Sequence, residues 1–155
     1  MNIVQARLRD VAELPQEEIR EEIFKMQSAL LGSSEQTDLS YFPVRHVFAP
    51  GTYAREMTIP EGEVIIGKIH RHAHVNVISA GRVQVLSEFG MEYREAPCTF
   101  VSQPGIKRVV YALETTVWTT IHITDETDLD KIEAEVIAPD HESLGIIQAD
   151  FRRVG

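Results

Sequence analysis

Three of the chain's six histidines fall within five positions, in Gly67-Lys68-Ile69-His70-Arg71-His72-Ala73-His74-Val75-Asn76. Imidazole titrates nearest neutral pH and is the commonest protein metal ligand, so such a cluster speaks for metal, anion or proton binding. In a strand, alternate side chains share a face, which puts Lys68, His70, His72, His74 and Asn76 together and Arg71 opposite. On a flat strand His70 and His74 stand about 13 Å apart, too far for one ion with bonds of about 2.1 Å. All three rings meet only if a bulge or turn bends the chain. Two of them plus a ligand from another strand is easier, and His122, at the end of a separate strand-like run, is the candidate. The set His70, His72, His74 and His122 would hold a divalent metal ion such as Zn, Fe, Mn or Ni. His46 and His141 have no such company and read as structural or surface residues.

Cations lie close to the same stretch: Arg55, Lys68, Arg71, Lys107 and Arg108. Lys68 shares the His70 face, and at most one of Lys107 and Arg108 faces inward. A pocket with Lys68, an inward arginine and several imidazoles favours a carboxylate or phosphate. Pairing of these cations with Glu56, Glu88 or other surface acids is the bland alternative. Tyr53, Tyr111 and Trp118 could line a cavity or fill a core. Cys98 lacks the neighbouring base that a catalytic thiol needs. Glu56 is the one carboxylate candidate for a base or an additional ligand.

Three regions must position these residues within one expected domain, 1–155. Up to about residue 40, Ile19, Ile23, Met26 and Leu30 recur at helical spacing, widened by Phe24 and Leu31. Pro15, Glu17 and Glu18 mark the helix start, and Gly32-Ser33-Ser34 its end. The apolar stripe packs either on the body of the domain or on a second copy. Residues 42–124 carry short runs of Val, Ile, Thr, Tyr and Phe. Breaks at Ala49-Pro50-Gly51, Pro60-Glu61-Gly62, Ala80-Gly81, Phe89-Gly90-Met91, Pro97 and Gln103-Pro104-Gly105 recur about every ten residues, the signature of a sandwich or barrel. Residues 125–155 open with capping candidates from Asp125 to Asp128. A short helix with Leu129, Ile132, Glu133 and Val136 follows and stops at Pro139, and an irregular tail closes the chain.

Composition sets the outer limits. The chain has 155 residues, 43% hydrophobic and 25% charged, which is globular. Fifteen Lys+Arg against 24 Asp+Glu leave a net charge of -9, which disfavours nucleic acid as a partner. One cysteine makes no internal disulfide and suits a reducing cytoplasm. No apolar run approaches a membrane span.

The motifs resemble those of cupins. The cupin pattern has Gly, five residues, His-x-His, three or four residues, Glu, six residues and Gly, followed about 20 residues on by Pro-x-Gly-x-x-His. Gly81 matches the closing glycine. Counting back puts His74 in the Glu position, His70 at the second His and Lys68 at the first. The other register takes His70-Arg71-His72 as the pair and places Asn76 at the Glu. Gln103-Pro104-Gly105-Ile106-Lys107-Arg108 matches the second motif, with Arg108 in the histidine position. Over roughly 43–137 the chain is also similar to small single-domain cupins encoded by tailed bacteriophages. The resemblance implies an all-β, double-stranded β-helix (jelly-roll) barrel with an N-terminal helix and a short C-terminal helix. It implies Arg108 as the inward cation, a homodimer, and a location in the cytoplasm, the host's if phage-encoded. Three functions follow as alternatives. One is a metal-dependent enzyme acting on a small anion, with Lys68, Arg108, Tyr53 and Arg55 as ligand contacts. Another is a non-catalytic binder or sequestering protein for a host small molecule. The third is an interaction scaffold.

Overall fold

The computed structural model describes residues 2–32 and 42–140. The expected helix stop at Ser33-Ser34, the side chains of Leu30 and Leu31, His141 and the apolar patch at 144–147 lie outside the described residues.

Two helices lead the chain where the sequence suggests one: α1 (Ile3–Ala12) and α2 (Gln16–Gly32). The first begins in a capping box, with the Asn2 side chain accepting from the Gln5 amide and the Gln5 side chain accepting from the Asn2 amide. Pro15 stands one residue before α2, where its carbonyl accepts from Glu18 and Ile19. Eleven strands follow: β1 (Val44–Ala49), β2 (Thr52–Ile59), β3 (Val64–Ile66), β4 (Ile69–His70), β5 (His74–Ala80), β6 (Arg82–Ser87), β7 (Gly90–Glu95), β8 (Cys98–Ser102), β9 (Val109–Ala112), β10 (Thr116–Ile123) and, after α3 (Leu129–Val136), β11 (Ile137–Ala138). The turn-residue breaks fall between these strands as the sequence suggests.

The strands pair as one long antiparallel ribbon, first with last: β2 with β10, β3 with β9, β5 with β8, and β6 with β7. Rolled up, the ribbon gives two facing sheets, β1-β2-β10-β5-β8 and β3-β9-β6-β7, which is a jelly roll, the double-stranded β-helix. A two-stranded piece, β11 with β4, lies beside them. Gly81 joins β5 to β6 at φ +87, and a Cβ there would lie 2.4 Å from the Thr115 carbonyl oxygen. The closing glycine of the sequence motif therefore has a steric cause.

Between the sheets, Met57, Ile59, Ile65, Ile78, Val83, Val85 and Val110 form one buried cluster. A second forms where Leu8, Val11, Ile19 and Ile23 of the helices cover Leu86, Val109 and Tyr111 of the four-stranded sheet. The α2 stripe is thus spent on the body of the protein. A third, small cluster places Ile132 and Val136 of α3 on Tyr53. Asp128 caps α3, its carboxylate accepting from the amides of Asp130 and Lys131.

Candidate functional site

Between the sheets, at the end covered by α3, lies a cavity of about 530 Å³. Its two halves differ. Met57, Ile59, Ile65, Val110 and Trp118 make an apolar wall. His46, Tyr53, Arg55, His70, His74, Arg108 and His122 make the polar part, with Lys68, Asp130 and Glu133 among the remaining lining groups. The five-stranded sheet supplies most of the polar half, because β1, β2, β5 and β10 each turn alternate residues inward.

The chain breaks strand geometry between His70 and His74: β4 ends at His70 and β5 starts at His74. This bend brings the two rings to a centroid separation of 4.2 Å, where a flat strand would hold them about 13 Å apart. His122 joins from β10, 5.3 Å from His70 and 5.1 Å from His74. His72 is exposed and does not line the cavity, although its charge still acts on His122. The expectation that His70, His72 and His74 share one face fails here, because alternation does not survive a bend. His72 contributes its carbonyl instead, 3.3 Å from Nδ1 of His74. Lys68, His70, His74 and Arg108 all line the cavity, as the first of the two motif registers has them.

Burial keeps the imidazoles neutral. It is the largest cause pushing His70 down to about 2, followed by His74, His122, Arg108 and Arg55. His122 is lowered to about 4, again chiefly by burial, then by His74 and Arg55. His74 is lowered by burial and by Arg108, against the opposing hydrogen bonds to the His72 carbonyl and the Asn76 side chain. A neutral ring offers one donor and one lone pair. With Nδ1–H of His74 donated to the carbonyl of His72, its Nε2 keeps the lone pair.

Arg55 and Arg108 face the same space, since both charges help lower His70. Burial lowers Arg108 to about 10, so it stays charged at neutral pH. Among the described residues neither guanidinium has an ion pair or a hydrogen bond; Arg108 lies 5.9 Å from the Phe100 ring. Lys68 differs, being paired with Glu133 of α3. Tyr53 is buried, shares a 2.6 Å hydrogen bond with Nδ1 of His46, and stacks toward His122 with centroids 6.1 Å apart.

Two features of the arrangement bear on the expected divalent ion. Among the described residues no three His, Cys, Asp or Glu side chains are grouped to hold one. The two nearby positive charges also oppose a cation. Other sequence candidates fall elsewhere. Glu56 points to the outer face and pairs with Arg45 at 2.9 Å. Lys107 is buried near α2, 5.2 Å from the Phe24 ring, donates to the Gly67 carbonyl and is lowered to about 8 by burial. Cys98 is a free thiol packed against the core. Tyr111 packs under the helices. Trp118 lines the cavity, its Nε1 donating to Asn76, which in turn donates to Ser102. The residue the sequence reading missed is His46. The available signal was alternation along β1, which puts His46 inward beside Arg55, its register partner.

No family model matches the chain, and no curated protein does. Solved structures do resemble it. A cupin-2 domain containing protein from Shewanella frigidimarina is 12% identical, with TM-score 0.45 over 53% of this chain and 80% of that one. An RmlC-like cupin with a double-stranded β-helix fold from Methanocaldococcus jannaschii is also 12% identical, with TM-score 0.46 over 57% and 84%. An acetylacetone dioxygenase from Acinetobacter johnsonii is 11% identical, with TM-score 0.46 over 53% and 59%. These are likenesses only; the strand order itself makes the jelly roll.

Proposed function

We propose that the cavity binds a small organic anion, a carboxylate or phosphate. Its charge sits between Arg55 and Arg108, and its apolar part lies against Met57, Ile65 and Trp118. One observation carries this reading: two cavity-facing guanidiniums have no ion pair or hydrogen bond among the described residues, Glu133 and Glu92 acting on them only at longer range. A charge kept from water and left unpaired costs several kcal/mol, and a bound anion offsets that cost through strong, directional hydrogen bonds. The neutral imidazoles of His70, His74 and His122 complete the shell without adding charge. A divalent ion is not part of this reading.

Turnover of the bound molecule is the second reading, favoured by the orientation of His74. Its ring lines the cavity and its Nδ1 is engaged by the His72 carbonyl, which fixes the ring for proton exchange with a ligand through the other nitrogen. Calorimetric titration with benzoate and phenyl phosphate tests the binding. Saturable uptake of one or both by the wild type, weakened at least tenfold in Arg108→Met, is the expected result. Equal uptake by both proteins would refute it. If binding holds, His74→Ala separates the two readings. A binder loses affinity modestly, whereas an enzyme keeps its affinity and loses conversion of the extracted natural ligand.

A further inference from the structure

The rings that line the cavity share one orientation. The register sets Phe48, Tyr53 and His122 in a row across β1, β2 and β10, and side chains so paired on one face of a sheet touch. Tyr53 stacks with Phe48 at 5.1 Å, with His46 at 5.9 Å and with His122 at 6.1 Å, centroid to centroid, and the planes differ by 16–23°. His70 arrives from β4 and continues the row, 5.3 Å from His122 and within 16° of its plane. Four of these rings, His46, Tyr53, His70 and His122, line the cavity. Trp118 lines it too, its ring fixed by the bond to Asn76 and by Phe100 edge-on at 78°. A row that served only as core would have its polar ring edges satisfied by protein. His122 is 6% exposed, yet neither it nor His70 makes a hydrogen bond among the described residues.

We infer that the anion held here is aromatic, a flat acid whose ring lies along this row. The inference rests on the anion reading of the site and narrows it to a substrate class. Aromatic rings stack, offset, at centroid distances of about 4.5–7 Å, the range the row already shows within the protein. A saturated ring of equal carbon count is puckered and has no quadrupole, so it gains dispersion alone. Met57 and Ile65 accept either kind of ring, so the preference belongs to the aromatic row. The charge contact lies where such a ligand needs it. Arg55 follows Tyr53 by two residues on the same face of β2 and is the register partner of His46. Conjugation holds an aryl carboxylate in the plane of its ring, and a planar guanidinium meets a planar carboxylate edge to edge. A cavity of about 530 Å³ has room for such a molecule.

Calorimetric titration of the full chain with benzoate, cyclohexanecarboxylate, benzamide and cyclohexanecarboxamide separates ring from charge. Benzoate is expected to bind roughly five- to tenfold tighter than cyclohexanecarboxylate, as one or two added stacks give. Equal binding of the two acids, both tighter than their amides, would overturn the inference and leave the anion reading standing. Benzamide binding as tightly as benzoate, and tighter than cyclohexanecarboxamide, would overturn the anion reading and support selection of the ring. No binding by any of the four would overturn both. His122→Leu, which keeps an apolar side chain but no ring, should cut the preference between the acids to below about twofold. Should that variant not fold, the wild type gives a second readout. The ring protons of bound benzoate should move upfield in its proton spectrum, and unshifted protons on saturably bound benzoate would overturn the inference.

Discussion

The two sheets of the barrel have the same architecture and opposite uses. The four-stranded sheet is covered on both sides over β6 and β9. Its inner face joins the core, and its outer face is sealed by α1 and α2 through Leu8, Val11, Ile19 and Ile23. The five-stranded sheet turns His46, Tyr53, Arg55, His74, Trp118 and His122 into the cavity, and its other face carries the exposed Val47, Val75, Val101 and Ile123. Where a sheet is buried on both sides, packing dictates its residues and every one counts toward stability. Where one side is less constrained, strand alternation lets the same strand carry chemistry inward and exposed residues outward. β10 does both, with Trp118, Thr120 and His122 on one side and Thr119, Ile121 and Ile123 on the other.

The comparison breaks most visibly under substitution. Leu86→Ala, at 0% exposure under the helices, should cost about 3 kcal/mol in urea unfolding, as large-to-small core changes do. Val101→Lys, at an exposed position of the other sheet, should change stability by less than about 0.5 kcal/mol. Equal costs would erase the distinction between the sheets. Arg108→Met should act in the reverse sense on the two quantities that matter. Anion affinity falls at least tenfold, while the ligand-free protein gains about 1 kcal/mol, because an unpaired buried charge is replaced by an apolar side chain. A loss of stability in the ligand-free variant would mean that Arg108 has a structural partner.

Acid sharpens the same contrast. The folded-state pKa values of His70 and His122 are depressed, to about 2 and about 4, below the ordinary value of 6.5. Between those values and 6.5 the unfolded chain binds more protons, so stability is complete above about pH 6.5 and falls as pH drops through this window. A loss on the order of 1–3 kcal/mol by pH 4.5 is expected, and a His70→Phe/His122→Phe variant should lose less. A flat profile over this range would show that the rings are hydrated. The smallest effect is at the mouth. Lys68→Ala removes a half-exposed pair with Glu133 and should cost less than about 1 kcal/mol.

The barrel was legible in the sequence because turn residues repeat about every ten positions and the strands between them alternate. α1 was not. Its buried residues are only Leu8 and Val11, and its start rests on Asn2 and Gln5, which do not stand out without the fold. The histidine site was half legible. Clustering pointed to His70, His74 and His122, but alternation wrongly enlisted His72, since the bend that unites His70 and His74 is a backbone feature without a Gly or Pro to announce it. His46 was passed over as solitary because its companions, Arg55 and Tyr53, are neighbours only through pairing of β1 with β2. Arg108 was found through its place in the second motif, whereas its lack of a carboxylate partner is visible only in three dimensions.

The central claim is that this cavity takes an anion and not a metal. Thermal unfolding with increasing phenyl phosphate, and separately with Zn²⁺, on wild type and Arg108→Met in one non-coordinating buffer tests it most directly. The account predicts a saturable rise in Tm with phenyl phosphate that is lost in the variant, and no saturable rise with Zn²⁺. A one-to-one stabilisation by Zn²⁺, removed by His70→Ala/His74→Ala while phenyl phosphate has no effect, would contradict it.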